Sequence, residues 1–265
     1  MEGFVDKVIL VTGANSGIGR ATAVKLAKLG ASVVCVGRRQ ERGEEVLTEV
    51  REHSSGRGHF IQCDISDVDA VDQLFAFISG EFGVLDGAFN NAGIEAPLAL
   101  LPEISIETFD SVHSVNLRGT FLCMRHELAM MMDRGCGSVV NTSSEGGVRG
   151  IGSAAAYTAS KHGVVGMTKA AALDMGIYGV RVNCICPGAT DTEMMDKWTS
   201  GDPLARRALE DSSPLKRVGS PGEIADAVLW LLSSQSSFLT GQAISVDGGS
   251  TAGVQAGGIA TEGSE

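Results

Sequence analysis

The chain of 265 residues is 43% hydrophobic and 20% charged, and it carries a formal net charge of −11. This composition is typical of a globular protein, and the acidic balance disfavours non-specific binding to nucleic acid or to an anionic membrane surface. Glu2 and Asp6 stand where a signal peptide has its basic region, and no apolar run approaches the ~20 residues of a membrane span. We therefore expect a cytoplasmic protein without nucleic-acid or membrane partners.

Seven short apolar runs predict β-strands. They are residues 7–13, 31–37, 58–64, 85–93, 137–144, 180–188 and 242–249. Several are apolar on both faces, as strands between two helix layers are. The clearest helix between them is 221–234, where Ile224, Val228 and Leu231 recur at helical spacing. The alternation predicts an α/β, doubly wound (Rossmann-type) three-layer sandwich with a seven-stranded parallel sheet, in one domain over 1–249.

Two segments escape this alternation. Residues 189–216 carry Met194, Met195 and Trp198 among polar residues, and we expect them to form a substrate lid. Residues 250–265 are Gly-rich, which favours a disordered tail or one docked on a neighbouring subunit.

The cysteines and histidines show no metal-binding pattern. Cys35, Cys63, Cys123, Cys136, Cys184 and Cys186 lie mostly in apolar runs without a C-x-x-C pair, and the five histidines have no paired spacing. We expect buried, reduced thiols and no metal site.

The stretch "TGANSGIG" follows the first predicted strand and opens a helix, with glycines at 13, 17 and 19. Such a turn lets the backbone approach a pyrophosphate, whose charge is met by the N–H groups of the helix N-terminus. Glycines also suit a tight turn without a ligand. The position after the first strand favours the dinucleotide interpretation.

Tyr157 and Lys161 lie four residues apart in a predicted helix, so their side chains share a face. A free tyrosine has a pKa of ~10, and a nearby cation lowers that pKa by favouring the phenolate. Tyr157 would then serve as a general acid/base. Such pairs are also common on helices for structural reasons alone. The pair by itself therefore does not show that Tyr157 is catalytic.

These motifs, together with "NNAG" at 90–93, "SVNLRG" around Asn116 and "PGATDT" at 187–192, resemble the single-domain branch of the short-chain dehydrogenase/reductase family. The resemblance covers about residues 7–249. It implies that Ser144 holds the substrate carbonyl oxygen and that Tyr157 passes the proton. Lys161 would tune Tyr157 and bind the nicotinamide ribose, and Asn116 would hold a water that links Lys161 to solvent. A homotetramer, or a homodimer, is also implied.

The resemblance further implies a set of cofactor contacts, with Asp64 at the adenine, Asn90 beside the cofactor and Thr192 at the nicotinamide amide or a phosphate. Each of these residue types at a strand end can also bond only its local backbone. The implied contact residues are Gly13, Asn15, Ser16, Gly17, Ile18, Gly19, Arg38, Arg39, Asp64, Ile65, Asn90, Ala92, Gly93, Tyr157, Lys161, Pro187, Gly188, Thr190 and Thr192.

Glu145 departs from the family pattern, in which a small or apolar residue more usually follows the serine. It either faces the substrate pocket and selects a polar group, or it is a solvated loop acid. With Met194, Met195 and Trp198 it is part of the expected substrate pocket. The apolar walls of that pocket suit a ketone of moderate size.

The second strand ends in Gly37 and is followed by Arg38 and Arg39. An acidic residue near this point takes the ribose hydroxyls of NAD, whereas an arginine accommodates the 2′-phosphate of NADP. Arg38 can grip that phosphate through a bidentate contact. NADP(H) is therefore preferred, and NAD(H) stays possible because the glycine turn has no basic residue.

The predicted function is hydride transfer between NADP(H) and a small-molecule ketone or secondary alcohol. One alternative is an NAD-dependent secondary alcohol dehydrogenase. Another is a non-redox cofactor-binding protein of the same fold, which fits poorly because it would not need Asn116, Ser144, Tyr157 and Lys161 together.

Overall fold

A computed structural model describes residues 3–53 and 57–253. Its strands are β1 (Val8–Thr12), β2 (Ser32–Gly37), β3 (Gly58–Gln62), β4 (Gly87–Asn90), β5 (Gly137–Thr142), β6 (Val180–Pro187) and β7 (Ala243–Val246). They form one parallel sheet in the order β3-β2-β1-β4-β5-β6-β7. The predicted seven-stranded parallel sheet is confirmed.

Helices cover both faces of this sheet. They are α1 (Gly17–Lys28), α2 (Gln40–His53), α3 (Val68–Phe82), α4 (Ile106–His113), α5 (Thr120–Arg134), α6 (Ala155–Met175), α7 (Glu193–Thr199), α8 (Pro203–Ser212) and α9 (Pro221–Leu232). Side chains of α1, α2 and α9 form the core on one face, and those of α3, α5 and α6 form the core on the other. A π-helical segment, Ser114–Gly119, joins α4 to α5.

Strand β1 shows why the predicted strands lack a polar face. All five of its residues are buried. Ile9 and Val11 pack into the core beneath α1 and α9, whereas Val8 and Leu10 pack into the core beneath α3 and α5. Successive side chains of a strand point to opposite faces, so a strand covered on both sides must be apolar throughout.

Local capping explains several helix boundaries. Helix α3 begins after Asp67, whose carboxylate accepts from the Asp69 and Ala70 amides, and it ends at Gly83 with φ +69. Helix α9 begins with a capping box between Ser220 and Glu223. These caps satisfy backbone groups that have no partner within the helix. The predicted helix at 221–234 is present and ends two residues early, at Leu232.

The strand order creates a crevice at the carboxyl edge of the sheet. From β1 the chain moves outward through β2 to β3, and it then crosses back to place β4 on the other side of β1. The connections that leave β1 and β4 therefore diverge. Ligands of doubly wound sheets bind at such a switch point.

Residues 189–216 contain α7 and α8, and the parallel bridge between Thr190 and Gly219 ties their start to the segment before α9. Their role as a lid stays a prediction. Residues 254–265 of the predicted tail lie outside the described residues, whereas Ser250 is buried against the domain.

All six cysteines are free, and Cys136 is exposed whereas the other five are buried. Cys136 departs from the expected burial because it follows Gly135 in the turn between α5 and β5. Within 3–53 and 57–253 no helix is both long and apolar enough to cross a bilayer.

Candidate active site

A cavity of about 630 Å³ opens at the carboxyl edge of the sheet, where the connections after β1 to β6 converge. Every site residue predicted from the sequence lines this cavity except Gly19, Asn90 and Asn116. One end of the cavity is lined by the glycine-rich turn, Arg38 and Arg39, and we call it the dinucleotide end. The other end is lined by Ser144, Tyr157 and helix α7, and we call it the substrate end.

The glycine-rich turn needs its glycines because it packs closely on itself and on the segment after β4. Gly13 has φ +67, and a Cβ on it would lie 2.8 Å from the Ala92 Cα. Gly19 faces the Gly13 carbonyl and so lies behind the cavity. Helix α1 starts at Gly17 with no acidic residue in its first turn. Its free N–H groups suit a phosphate.

Gly37 is required by close packing against Asn15. A Cβ at Gly37 would lie 1.5 Å from Asn15 Oδ1, and Asn15 Nδ2 donates to the Arg39 carbonyl at 2.8 Å. An aspartate therefore cannot replace Gly37 without displacing Asn15. Packing against Asn15 therefore disfavours an acidic side chain at position 37, where such a side chain would bind the ribose hydroxyls of NAD.

Arg38 and Arg39 reach the dinucleotide end with loosely paired charges. Arg38 Nη1 lies 3.8 Å from Asp64 Oδ2, and Arg39 Nη1 lies 3.3 Å from Glu193 Oε2. The Asp64 carboxylate also accepts from the Ser66 amide and hydroxyl at 2.9 and 2.7 Å. Since both arginine side chains are more than half exposed, solvent weakens these ion pairs. Each guanidinium can turn to an incoming anion.

Ser144, Tyr157 and Lys161 meet at the substrate end. Ser144 begins a 3-10 turn after β5, where its Oγ accepts from the Gly146 amide at 3.1 Å, and its hydroxyl also hydrogen-bonds that of Tyr157. Tyr157 and Lys161 lie one turn apart in α6, and Lys161 Nζ donates to the Thr142 carbonyl at 2.8 Å. The structure therefore brings three of the four predicted catalytic residues together.

The expected lowering of the Tyr157 pKa is wrong for this structure. Burial raises the pKa of Tyr157 to about 12, against the opposing hydrogen bond from Ser144 and with help from the carboxylates of Glu95 and Glu145. Lys161 Nζ lies 5.6 Å from the centre of the tyrosine ring, and burial lowers its own pKa to about 8. Desolvation thus exceeds the attraction expected from spacing alone. Tyr157 is a protonated phenol at neutral pH.

Asn116 lies in the π-helical segment and is buried outside the cavity lining. Its Oδ1 accepts from the Ile94 amide at 2.8 Å, and its Nδ2 donates to the Ile94 carbonyl at 2.9 Å and to Ser160 Oγ at 3.2 Å. Asn116 thereby joins the segment after β4, at Ile94, to Ser160 of α6. The implied water between Asn116 and Lys161 stays a prediction.

Asn90 lies behind the cavity and not beside the space for a cofactor. Its Nδ2 donates to Glu127 Oε2 at 2.9 Å and to Asn141 Oδ1 at 3.0 Å, and Asn141 in turn donates to Thr168. As the last residue of β4, Asn90 points into the buried layer between the sheet and α5. The next residue, Asn91, lines the cavity instead.

Glu145 lines the substrate end with its side chain only 13% exposed. Its Oε2 accepts from Arg149 Nη2 and from Ser250 Oγ, each at 2.6 Å. It is therefore not a solvated loop acid. The structure favours the interpretation in which Glu145 faces the pocket.

Helix α7 supplies the other wall of the substrate end. Thr192 caps it by accepting from the Met195 amide, and Met194, Met195 and Trp198 line the cavity. The Trp198 ring lies 5.8 Å from the Tyr157 ring. Among the described residues the buried Trp198 Nε1 has no acceptor. The apolar wall expected from the sequence is thus formed, with one unpartnered donor in it.

Sequence reasoning missed several residues that build the site. Asn91 donates to the carbonyls of Thr12 and Gly13, and Ser143 Oγ donates to the Lys161 carbonyl. Asn91 could have been found as the first residue beyond a strand end. The Arg149 partner of Glu145 could have been found by its i,i+4 spacing, but the Ser250 partner has no local signal.

In the described part of the chain, no group of three or more His, Cys, Asp or Glu side chains is arranged to hold a metal ion.

Comparison with known proteins gives consistent matches along nearly the whole chain. Residues 13–251 match the sequence model of a family described as enoyl-(acyl carrier protein) reductase. The chain is 42% identical over 253 residues to the 2,5-dichloro-2,5-cyclohexadiene-1,4-diol dehydrogenase of Sphingobium indicum, covering 95% of this chain and 100% of that one. It is 41% identical over 270 residues to the 3beta-hydroxysteroid dehydrogenase of Mediterraneibacter gnavus, covering 95% and 97%.

A solved structure gives the same result at the level of the fold. The crystal structure of levodione reductase superposes with a TM-score of 0.91 at 41% identity, covering 95% of this chain and 100% of that chain. The fold that carries the cavity, with the hydroxyls of Ser144 and Tyr157 and the amine of Lys161, is thus shared with dehydrogenases and reductases.

Proposed function

Because the chain belongs to the short-chain dehydrogenase/reductase family, we propose that it is an NADP(H)-dependent carbonyl reductase that acts on ring ketones, or on ring secondary alcohols in the reverse direction. Members of this family interconvert CH–OH and C=O groups, so the chain is an oxidoreductase. The observation that carries the proposal is the contact between the Ser144 and Tyr157 hydroxyls beside buried Lys161.

The dinucleotide end has the features that a nicotinamide dinucleotide needs. The turn at Gly13 lines the cavity with backbone only, and the N-terminus of α1 offers N–H groups to a pyrophosphate. Arg38 and Asp64 would hold the adenosine half. Lys161, Thr190 and Thr192 would hold the nicotinamide half. When bound, the cofactor supplies or accepts the hydride.

The residues of this chain then handle the proton and the oxygen. Ser144 Oγ and Tyr157 Oη can both donate to a carbonyl oxygen, which stabilises the negative charge that develops on it. Tyr157 is protonated at neutral pH because burial raises its pKa to about 12, so it is in the form that gives a proton to the alkoxide. The reduction step needs that form.

A ring substrate is supported by the relatives and by the cavity walls. The names of two relatives specify secondary alcohols on rings, a cyclohexadiene-1,4-diol and a 3β-hydroxysteroid. Met194, Met195 and Trp198 provide a flat apolar wall beside Tyr157. Such a wall buries the carbon face of a ring while its oxygen meets the hydroxyls.

Replacement of Tyr157 tests the proposed chemistry. Tyr157→Phe should lower kcat for NADPH-dependent reduction of cyclohexanone by about 10²–10⁴, because the phenolic proton is lost. NADPH should still bind, since the other implied contact residues are retained. Tyr178→Phe, at the exposed tyrosine, is the matched control and should keep full activity. Equal activity in both variants would reject Tyr157 as the proton donor, and no turnover of any ketone would favour the non-redox alternative.

The NADP preference is tested by binding. We expect NADPH to bind about tenfold more tightly than NADH, a difference of about 1.4 kcal/mol, and Arg38→Ala to erase that ratio. Arg57→Ala is the control, because Arg57 pairs with Glu81 at the amino end of β3, away from the cavity. A ratio unchanged by Arg38→Ala would contradict the assignment of the phosphate to this arginine.

One observation favours the NAD-dependent alternative. The carboxylates of Asp64 and Glu193 lie beside Arg38 and Arg39, and Glu193 also pairs with Arg42 at 3.3 Å. These acids compete with a 2′-phosphate for the guanidinium groups. If NADH binds as well as NADPH, the protein is an NAD-dependent secondary alcohol dehydrogenase and ring alcohols should be tested first.

The homotetramer expected from the resemblance is also part of the proposal. Exposed apolar side chains lie on the helical run from α4 to α6, at Ile106, Phe109, Phe121 and Leu173. Large exposed apolar patches commonly mark protein–protein contacts.

A further inference from the structure

We propose that Glu145 determines substrate specificity by accepting a hydrogen bond from a second polar group of a neutral hydroxyketone and by repelling ketones that carry a carboxylate. This inference rests on the proposed function, since it concerns the second group on the ring and not the reacting carbonyl.

The first step is the fixed position of the carboxylate. Glu145 follows Ser144 directly, and its Oε2 accepts from both Arg149 and Ser250 at 2.6 Å. Arg149 Nη1 also donates to the Ser250 carbonyl at 3.1 Å. Two charge-assisted bonds and a third bond between the partners restrict the side chain to one orientation. We call these three residues the Glu145 clamp.

The second step is the oxygen that the clamp leaves free. Neither Arg149 nor Ser250 bonds Glu145 Oε1, and no residue in 3–53 or 57–253 donates to it. The residue lines the cavity at the substrate end. A carboxylate oxygen has room for further donors, so Oε1 can accept from a donor on a ligand in the cavity. A substrate hydroxyl supplies one.

The third step is the charge of the surroundings. Glu95, on the segment after β4, lines the same end of the cavity, and both acids lie near enough to the Tyr157 hydroxyl to disfavour its phenolate. Arg149 compensates one of these charges. A carboxylate on the substrate would add a third negative group to a partly desolvated space, which is unfavourable.

Three ketones test the inference. Cyclohexanone has no second group, 4-hydroxycyclohexanone has a hydroxyl, and 4-oxocyclohexanecarboxylate has a negative charge. We expect kcat/KM of the wild-type protein to favour the hydroxyketone over the carboxylate by about tenfold or more. Glu145→Gln keeps the shape but removes the charge, so it should raise kcat/KM for the carboxylate relative to the hydroxyketone and erase this ratio.

Two control variants separate charge from structure. Glu52→Gln removes an exposed acid of α2 and should leave every ratio unchanged. Ser250→Ala removes one bond of the Glu145 clamp but keeps the charge, so it should retain discrimination against the carboxylate. Equal use of both substituted ketones by the wild type, or a ratio that Glu145→Gln does not change, overturns the inference.

A binding measurement keeps the two proposals distinguishable. Trp198 beside Tyr157 should report ligands by a change in fluorescence, so the Kd for cyclohexane-1,4-diol and for cyclohexanecarboxylate can be measured without turnover. If no ketone is reduced, the proposed function fails. Tighter binding of the diol that is lost in Glu145→Gln would then still support the specificity inference, and equal binding of both ligands would reject it.

Discussion

At the scale of single residues, burial decides the ionisation of the groups around the site. Lys161 and Tyr157 both shift towards their neutral forms because water is excluded from them. Glu127 behaves in the same way. It is fully buried, accepts from Asn90, and burial raises its pKa to about 8. A neutral carboxyl can also donate a hydrogen bond, and Asn90 Oδ1 otherwise lacks a donor among the described residues.

Glu127→Gln should therefore increase stability at alkaline pH. The folded pKa of about 8 exceeds the ordinary value of 4.5, so the folded state binds more protons in this window and the free energy of unfolding falls as pH rises from 4.5 to 8. We expect the wild type to lose about 2–4 kcal/mol across that window through this residue. Urea unfolding at pH 5.5, 7 and 8 should show a flatter profile for Glu127→Gln.

The control for this prediction is Glu52→Gln, in which an exposed acid of the same type is removed. It should retain the slope of the wild type. A Glu127→Gln protein with the same slope as the wild type would show that Glu127 is ionised in the folded state throughout this range.

At the scale of elements, the strands were predictable because burial on both faces makes them continuous apolar runs. Helices α7 and α8 were not predicted individually, since both are short and lie within the segment that interrupts the alternation of strands and helices. Their boundaries are set by caps instead, with Thr192 and Asp202 at the starts and Ser200, with φ +51, at the end of α7.

The predicted site residues came together because most of them follow the ends of strands. Asn90 was misplaced because its side chain points to the face of the sheet covered by α5, where it bonds Glu127 and Asn141.

Long-range pairs account for the rest of the site that could not be predicted. The Ser250 contact with Glu145 and the Glu193 contact with Arg39 join distant parts of the chain. Each depends on how α7 and the segment after β7 fold over the cavity. No spacing in the sequence specifies that arrangement.

The capping box of α9 gives a prediction at this scale. Ser220 Oγ accepts from the Glu223 amide, and Glu223 Oε2 accepts from the Ser220 amide at 2.8 Å. Ser220→Ala should lower the free energy of unfolding by about 1 kcal/mol, because the Glu223 amide loses the hydroxyl that accepts its hydrogen bond. Thermal unfolding measures this. Ser237→Ala, whose exposed hydroxyl bonds no described residue, should show no change; an equal loss in both would reject the cap.

At the scale of the whole molecule, the two faces of the sheet differ in what covers them. The layer with α4, α5 and α6 leaves apolar side chains at its surface, including Ile106 and Leu173 at 74% and 83% exposure. A monomer would present these side chains to water. Burying them between copies of the chain would stabilise an assembly.

Sedimentation should therefore show a species larger than the 27.5 kDa chain. Phe109→Asp combined with Phe121→Asp should shift the population towards the monomer, because a charge on this surface opposes its burial. Val5→Asp, at an exposed apolar residue away from these helices, should not. A wild-type protein that sediments as a stable monomer would exclude the homotetramer and the homodimer alike.

The Glu145 clamp also bears on the order in which the protein is made. Its partners are 105 residues apart, so at ~5–20 residues per second the ribosome adds Ser250 roughly 5–20 s after Glu145. Strands β1, β2 and β3 pair only with one another and with β4, and they emerge earlier. Helix α9, which completes the core beneath β1, is also made before Ser250. The Glu145 clamp is therefore the last part of the cavity that chain synthesis allows to form.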